Sequence, residues 1–392
     1  MRKTLIFLIL FLPTLCFSQW VTLNSPTFKE IAYSGTALYA VEENNGVYFS
    51  TTNGNTWIQT SLTSPGFIKI AAYGNNVFAG TSKGAVQGIY RSTNSGVNWV
   101  HVLAPVELFG ITAITIDGNN IYASTGHNIY RSTNNGTNWV KSEHDFYVYS
   151  FAVSGTNIFA GVEATGVYLS TNSGMTWKQT SLNNVNTLAV TITATNIYAG
   201  TEAGVYFSSN NGANWISTSL GSRYVSSLIA LNGVFYAGTD EGIFLSKDNA
   251  INWIQKNQGL PAAMQDGPHL AASDNFLFAS NASFSSWRRS LSDIINIQQI
   301  SSIIPTEFSL KQNFPNPFNP VTKINFYLPQ KSFTILKIYD LSGKEITNLV
   351  NEKLDAGSYE FTFNGEKLAS GVYFYRLETE SYSETKLMTL IK

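Results

Sequence analysis

Acidic residues stand at Glu163, Glu202 and Asp240 (with Glu241 behind it), each directly after an apolar run: NIFAGV, NIYAGT and VFYAGT. Two carboxylates facing each other across a sugar are what glycoside hydrolysis requires, one as acid and the other as base or nucleophile. Glu42, Glu43, Lys83 and His127 hold the corresponding places elsewhere in the chain. Recurrence also has a plainer origin. Duplication copies a surface acid together with its loop, and Asp and Glu are surface residues by default. We therefore expect no catalytic residue, and name Glu163, Glu202 and Asp240 as the carboxylates to test. The four histidines, His101, His127, His144 and His269, show no ligand spacing. A metal would need His127, His144 and Asp145 drawn together from neighbouring loops. No metal and no cofactor is expected, and no nucleophile elbow, phosphate loop or Cys–His pair is present.

Loops that recur must be carried by elements that recur. The boxes STTNGNTW, STNSGVNW, STNNGTNW, STNSGMTW, SSNNGANW and SKDNAINW end at Trp57, Trp99, Trp139, Trp177, Trp215 and Trp253, spaced by 42, 40, 38, 38 and 38 residues. A period near forty residues belongs to propellers and solenoids. Between boxes each unit reads as four short strands of β-branched and aromatic residues; in the fourth unit they are SFAVSG, NIFAG, GVYLS and TWKQTS. No unit has helical spacing, and four-stranded units at this period are propeller blades. A seventh unit, Leu270 to Asp293, has three strands and no box, with Trp287 in the place of Tyr168 and Tyr206. QWVTLNS at Gln19 matches TWIQTS and TWKQTS, so it is predicted to supply the missing strand and close the ring without an open edge. In each box the glycine (Gly54, Gly96, Gly136, Gly174, Gly212) permits positive φ at a hairpin. Ser and Asn side chains can bond the turn's own backbone, and the Trp buries its ring against a neighbour.

These boxes resemble the Asp-box, or BNR, repeats of sialidases, photosystem II assembly factors and sortilin-type receptors, whose pattern is Ser-x-Asp-x-Gly-x-Thr-Trp. The Asp place holds Thr52, Asn94, Asn134, Asn172 and Asn210, and only Asp248 keeps the acid; Ala250 replaces the last glycine. The resemblance implies a propeller in which the boxes are structural. Sialidase chemistry would add an arginine triad and a Tyr–Glu pair. Arg91, Arg131 and Arg288 share one repeat position beside the box, and Arg223 alone falls in a loop on the other face, so no triad assembles. Assembly of a photosystem is not transferred by fold alone.

After LSDIINIQQISSI the texture changes to five-to-seven-residue alternating strands parted by Ser342-Gly343, Ala356-Gly357 and Asn364-Gly365, the pattern of a small antiparallel sandwich. NFPNPFNP (Asn313 to Pro320), IYDLSGKEI, LASGVYFYRL and the tail ending at Lys392 resemble the type A C-terminal sorting domain of the type IX secretion system. That resemblance implies a Gram-negative bacterium, passage through the outer membrane with the secretion machinery as partner of residues 309–392, and later removal of the domain. At the other end, Arg2 and Lys3 precede an apolar run from Leu5 to Phe17, a signal peptide over residues 1–18. Cys16 is the only cysteine, so the mature chain has no disulfide. Net charge is −1 with 12% charged residues, which excludes a nucleic-acid footprint, and no other stretch approaches transmembrane length.

The expected fold is all-β: a seven-bladed propeller over 19–298, a linker over 299–308 and a sandwich over 309–392. With boxes on one face, ligands would meet the opposite face. There the connections carry Phe67, Phe109, Tyr147, Tyr149, Arg223, Tyr224 and the stretch Gly259 to His269. We expect a secreted or surface-displayed monomer that binds an extracellular glycan or protein through Phe109, Tyr147, Tyr149, Tyr224 and Arg223, with polysaccharide hydrolysis as the alternative.

Overall fold

The computed structural model describes residues 20–81, 87–104, 110–142, 144, 146–194, 196–231, 233–281, 283–291, 297–301, 304–354, 356–366 and 368–392. The expected signal peptide, Lys83, Phe109 and Asp145 lie outside the described residues. The chain forms two units, divided after Leu291.

Among the described residues the first unit holds seven four-stranded antiparallel sheets. In the fourth these are Val148–Ser154, Asn157–Val162, Gly166–Ser170 and Lys178–Gln179. The second strands are buried along nearly their whole length, as AVE, AGT and AST runs flanked by large residues such as Tyr39, Phe78, Phe159 and Tyr236. Each such buried side chain contributes about 1.5–3 kcal/mol. First strands pack beside first strands in sequence order, and His269–Ala272 packs against both Val225–Leu231 and Glu30–Ser34, which closes the ring. Val21–Thr22 pairs with Phe284–Ser290 and completes the seventh blade. Trp20 is 2% exposed, and its indole Nε1 donates to the Lys256 carbonyl at 2.6 Å. The outer strands are mostly only two residues long, shorter than the sequence pattern, since an edge strand has a neighbour on one side only.

The boxes bind blade to blade. Within a box, Ser92 Oγ accepts the Gly96 N–H at 2.9 Å and Asn94 Oδ1 accepts the Asn98 N–H at 2.9 Å; the later boxes repeat this, with Asp248 in the Asn role. Both Ser95 (φ 56°) and Gly96 (φ 84°) are left-handed, so the turn needs two tolerant residues. The indole then reaches the preceding blade: Trp177 Nε1 donates to Ser142 Oγ (3.2 Å), Trp215 to Thr180 Oγ1 (3.3 Å) and Trp253 to Thr218 Oγ1 (3.3 Å). Arg91 Nη1 donates forward to the Asn135 carbonyl at 2.5 Å, and Arg288 Nη2 to Asn55 Oδ1 at 2.7 Å across the closure.

The second unit is a sandwich. One sheet runs Ile297–Ser301, Gly357–Asn364, Val321–Leu328, Ser309–Leu310; the other Glu345–Leu354, Ser332–Tyr339, Gly371–Glu378, Ser383–Leu390. Inward residues alternate with outward ones, and Phe318, Ile324, Phe326, Leu336, Ile338, Tyr375 and Leu390 fill the core. One expectation needs correction. Residues 297–301, expected at the end of the propeller and the start of a linker, are an edge strand of the sandwich, paired to Gly357–Asn364. NFPNPFNP is built into the sandwich through its asparagines. Asn313 is buried, takes its place through the Tyr375 hydroxyl (2.8 Å) and Thr322 Oγ1 (2.9 Å), and Asn316 Oδ1 accepts the Thr389 N–H at 2.9 Å. Prolines cannot donate to a ladder, so side-chain amides cover the last strand's edge in their stead.

A Cβ on Gly136 (φ 74°) would lie 2.7 Å from Phe78 Cε1 of the preceding blade, whereas one on Gly174 (φ 83°) would meet nothing closer than 3.4 Å. Left-handed φ costs an alanine roughly 1–2 kcal/mol, and overpacking adds about 1–3. Gly136→Ala is therefore expected to destabilise the propeller about 1–3 kcal/mol more than Gly174→Ala in urea unfolding. Trp20→Ala is expected to cost about 3–5 kcal/mol by the same measurement, the range for a buried tryptophan. A loss under 1 kcal/mol would show that the first strand does not hold the ring shut.

Candidate functional site

On the face away from the boxes, three blades repeat one tie between the loop after the second strand and the incoming connection. The Glu163 N–H donates to the Tyr147 carbonyl (3.0 Å), Glu202 N–H to Asn186 (3.1 Å) and Asp240 N–H to Tyr224 (3.1 Å). The acids therefore begin as backbone fasteners, and their side chains then point at the same connections. Tyr149 OH donates to Glu163 Oε1 at 3.0 Å. Asn186 Nδ2 donates to Glu202 Oε2 at 2.6 Å, and Asn186 Oδ1 accepts the Ala164 N–H at 2.7 Å, so this amide joins two loops. Asp240 Oδ1 accepts the Tyr224 N–H at 3.2 Å.

The pairing of the first strand in the fourth blade skips between Val148 and Ser150, so Tyr149 sits at a bulge, a device that re-aims a side chain. Its ring lies 5.2 Å from that of Tyr147 at 62°, and Tyr147 in turn meets the His127 ring edge-on at 6.3 Å. Burial raises the Tyr149 phenol well above its ordinary value, with the Glu163 hydrogen bond and the charges of Glu163, Tyr147 and Tyr224 adding to it. Burial and then Glu163 raise Tyr147; burial and then Glu202 raise Tyr224, which is 42% exposed. Tyr147 and Tyr149 beside Glu163, and Tyr224 beside Asp240, thus stand on this face of blades four to six, their phenols neutral at neutral pH.

Other expected residues fall elsewhere. Arg223 precedes Tyr224 but is turned to Glu241, with Nε to Oε2 at 2.9 Å, and lies over the Phe244 ring at 4.8 Å. Phe67 is fully buried among residues of the first and second blades, and Glu42 is 5% exposed with its Oε1 accepting the Asn44 N–H at 3.3 Å in its own loop, so neither presents itself on the face. The His144 Nε2 accepts the Trp177 N–H at 3.2 Å, which commits that nitrogen to the fold. Among the described residues no group of three His, Cys, Asp or Glu is placed to hold a metal. Asn186 escaped the sequence reading. Its signal was positional, since it occupies the repeat place of Tyr147 and Tyr224.

His269 opens the innermost strand of the seventh blade. The residue is exposed, with Lys69, Glu30 and Lys29 near enough to act on its charge. Desolvation, with Lys69 and Lys29 adding and Glu30 opposing, pushes its imidazole down to about 4.

Residues 312–391 match the family described as the secretion system C-terminal sorting domain. No curated protein matches the chain. Among solved structures, the chain is similar to YCF48 bound to D1 peptide (17% identity, TM-score 0.54, covering 69% of this chain and 94% of that one). It is similar to YCF48 from Cyanidioschyzon merolae as well (16%, 0.53, covering 69% and 98%). The extracellular domain of the hybrid two-component system BT4673 from B. thetaiotaomicron also resembles it (10%, 0.53), over 94% of this chain and 57% of that one. Likenesses at these identities bear on the fold, and the fold is a β-propeller joined to a type IX sorting domain. The protein is thus exported across the outer membrane of a Gram-negative cell, to its surface or beyond. Among the described residues no helix is long and apolar enough to cross a membrane.

A folded-state pKa of about 4 at His269, against an ordinary 6.5, gives stability that is complete above about pH 6.5 and lost as pH falls towards 4. His269→Gln is expected to flatten the fall of Tm between pH 7 and pH 4. An unchanged slope would place the acid sensitivity in other groups.

Proposed function

We propose that the propeller is a non-catalytic binding module for an extracellular glycan or protein, and that the Tyr147–Tyr149–Tyr224 patch is its contact surface. The observation that carries this reading is how the carboxylates are used. Glu163 is bonded by the Tyr149 hydroxyl, Glu202 by the Asn186 amide and Asp240 by the Tyr224 N–H. Each acid supports a connection, which is the work of a scaffold. With the Tyr149 ring fixed by Glu163 and the backbones of Tyr147 and Tyr224 tied to these loops, the tyrosines are suited to binding, since aromatic anchors contribute area at low cost in conformational entropy. The export of the chain places any ligand outside the cell.

The full chain, incubated with a panel of polysaccharides, is scored for retention on polymer and for release of reducing ends in the same tubes. Retention without release is the expected result for a glycan ligand. Tyr149→Ala with Tyr224→Ala should weaken retention at least tenfold, about 1.4 kcal/mol. Glu163→Gln and Glu202→Gln should change it less than threefold, since Gln still offers a carbonyl oxygen. Release of sugar that disappears in Glu163→Gln or Glu202→Gln would replace this reading with hydrolysis. Neither retention nor release would direct the search to a protein ligand.

A further inference from the structure

The outer face of an antiparallel sandwich sheet is ordinarily polar, because only its inner face needs to pack. One sheet of the second unit departs from this. Its solvent side reads, strand by strand, Phe333, Ile335, Lys337 and Tyr339; Val372, Phe374, Arg376 and Glu378; Ser383, Thr385, Leu387, Thr389. The pairing Tyr339↔Phe374↔Leu387 lays three of these side by side across three strands, and Val372↔Thr389 follows in the next row. Ile391 continues the same side just past the last strand. Val372, Leu387 and Ile391 are 36%, 49% and 52% exposed, and Tyr339 and Phe374 are half-buried.

The charges on this face do not ask for a charged ligand. Lys337 Nζ meets Glu345 at 2.9 Å, and Arg376 meets Glu378 at 3.3 Å and Thr385 Oγ1 at 3.1 Å. They form a self-satisfied belt beside the apolar row. Sheet formation does not require the row either, since Thr at these places would serve a strand as well as Phe or Leu. A contiguous exposed apolar row with a polar border has the composition of an interface centre.

We propose that this row, Tyr339, Phe374 and Leu387 with Val372 and Ile391, is the surface by which the export apparatus recognises the sorting domain, docking an apolar protein patch on it. The occupant is chosen on two grounds. All five residues lie inside the 312–391 match to a sorting domain, whose task requires a partner in that apparatus. The last strand's own edge is already covered by Asn316 and Gln312, which bond the Thr389 N–H and the Leu387 carbonyl, so the face rather than the edge is left to meet it.

In a Gram-negative host with a type IX system, export of the full chain is compared with that of Phe374→Thr/Leu387→Thr and of Phe333→Thr at the far end of the same face. The double variant is expected to lose at least tenfold of its surface and extracellular fraction while the retained chain stays protease-resistant; Phe333→Thr is exported normally. Export of the double variant at the unsubstituted level overturns the proposal, as does an equal loss in both variants. Leu387→Lys keeps the test decisive should the double variant unfold. One exposed side chain is changed, and the same loss is expected, so full export of this variant also overturns the proposal. A purified chain that is dimeric, and that Leu387→Lys makes monomeric with export intact, would assign the row to a second copy of the chain instead.

Discussion

Six blades of the ring carry a left-handed turn that seats against the blade before, tightly at Gly136 and Gly212 and with more room at Gly96 and Gly174. The box can sit against Phe78, Thr180 or Tyr122 of the neighbouring blade because a glycine faces that neighbour. In three of the boxes the indole nitrogen of Trp177, Trp215 or Trp253 then donates into the previous outer strand, whereas Trp99 and Trp139 bond the carbonyl of their own box glycine. Two requirements coincide in this residue, left-handed φ and close approach. Ala250, fully buried at φ 65°, shows that the φ requirement alone admits a methyl group where the neighbour leaves space. Where the seventh blade has no box, Trp20 takes over the indole's part with a backbone acceptor, and Arg288 reaches across to the first box. The closure thus copies the bond the other blades use, with the chain's own beginning as the second party.

Fastening consumes one face and frees the other. Boxes and the hairpins between first and second strands share an end of each blade and bond one another there, as in Ser95 N–H to the Asn75 carbonyl at 3.0 Å. At the opposite end three blades tie their loops by one recurring backbone bond, after which the side chains are at liberty to differ. Tyr147, Asn186 and Tyr224 occupy one repeat position with two chemistries. Tyr149 stands where other blades have Ile68, Thr112, Leu188 and Ser226 at the same bulge. Function is carried by such departures from the repeat on a rigid frame.

The sandwich applies a different economy. Its core is one contiguous cluster, and its proline-rich string spends a buried asparagine and two side-chain amides on closing an edge. What it leaves open is a face. On the readings proposed above the two units divide the work, the propeller offering tyrosines and the sandwich an apolar row.

The period, the box turn, the fourth strand supplied by the amino terminus and the sorting domain were all legible in the residues. Their causes are local: φ, a capping hydroxyl, an alternation of period two, a string of prolines. Burial at blade interfaces was not legible. Phe67 stands in a stretch that reads as a surface loop, yet residues of the first blade cover it, and a one-residue change of side reverses inside and outside. The end of the propeller was misplaced for a similar reason. Residues 297–301 become a strand only because Gly357–Asn364, some sixty residues on, offers an edge. The site follows the same rule. Sequence supplied Tyr147, Tyr149, Tyr224, Glu163 and Glu202 as candidates, but these residues share a face only because consecutive blades pack side by side, and the amide of Asn186 gains its role only there. Local chemistry is written in the chain; which surfaces meet is decided by the packing of elements far apart in it.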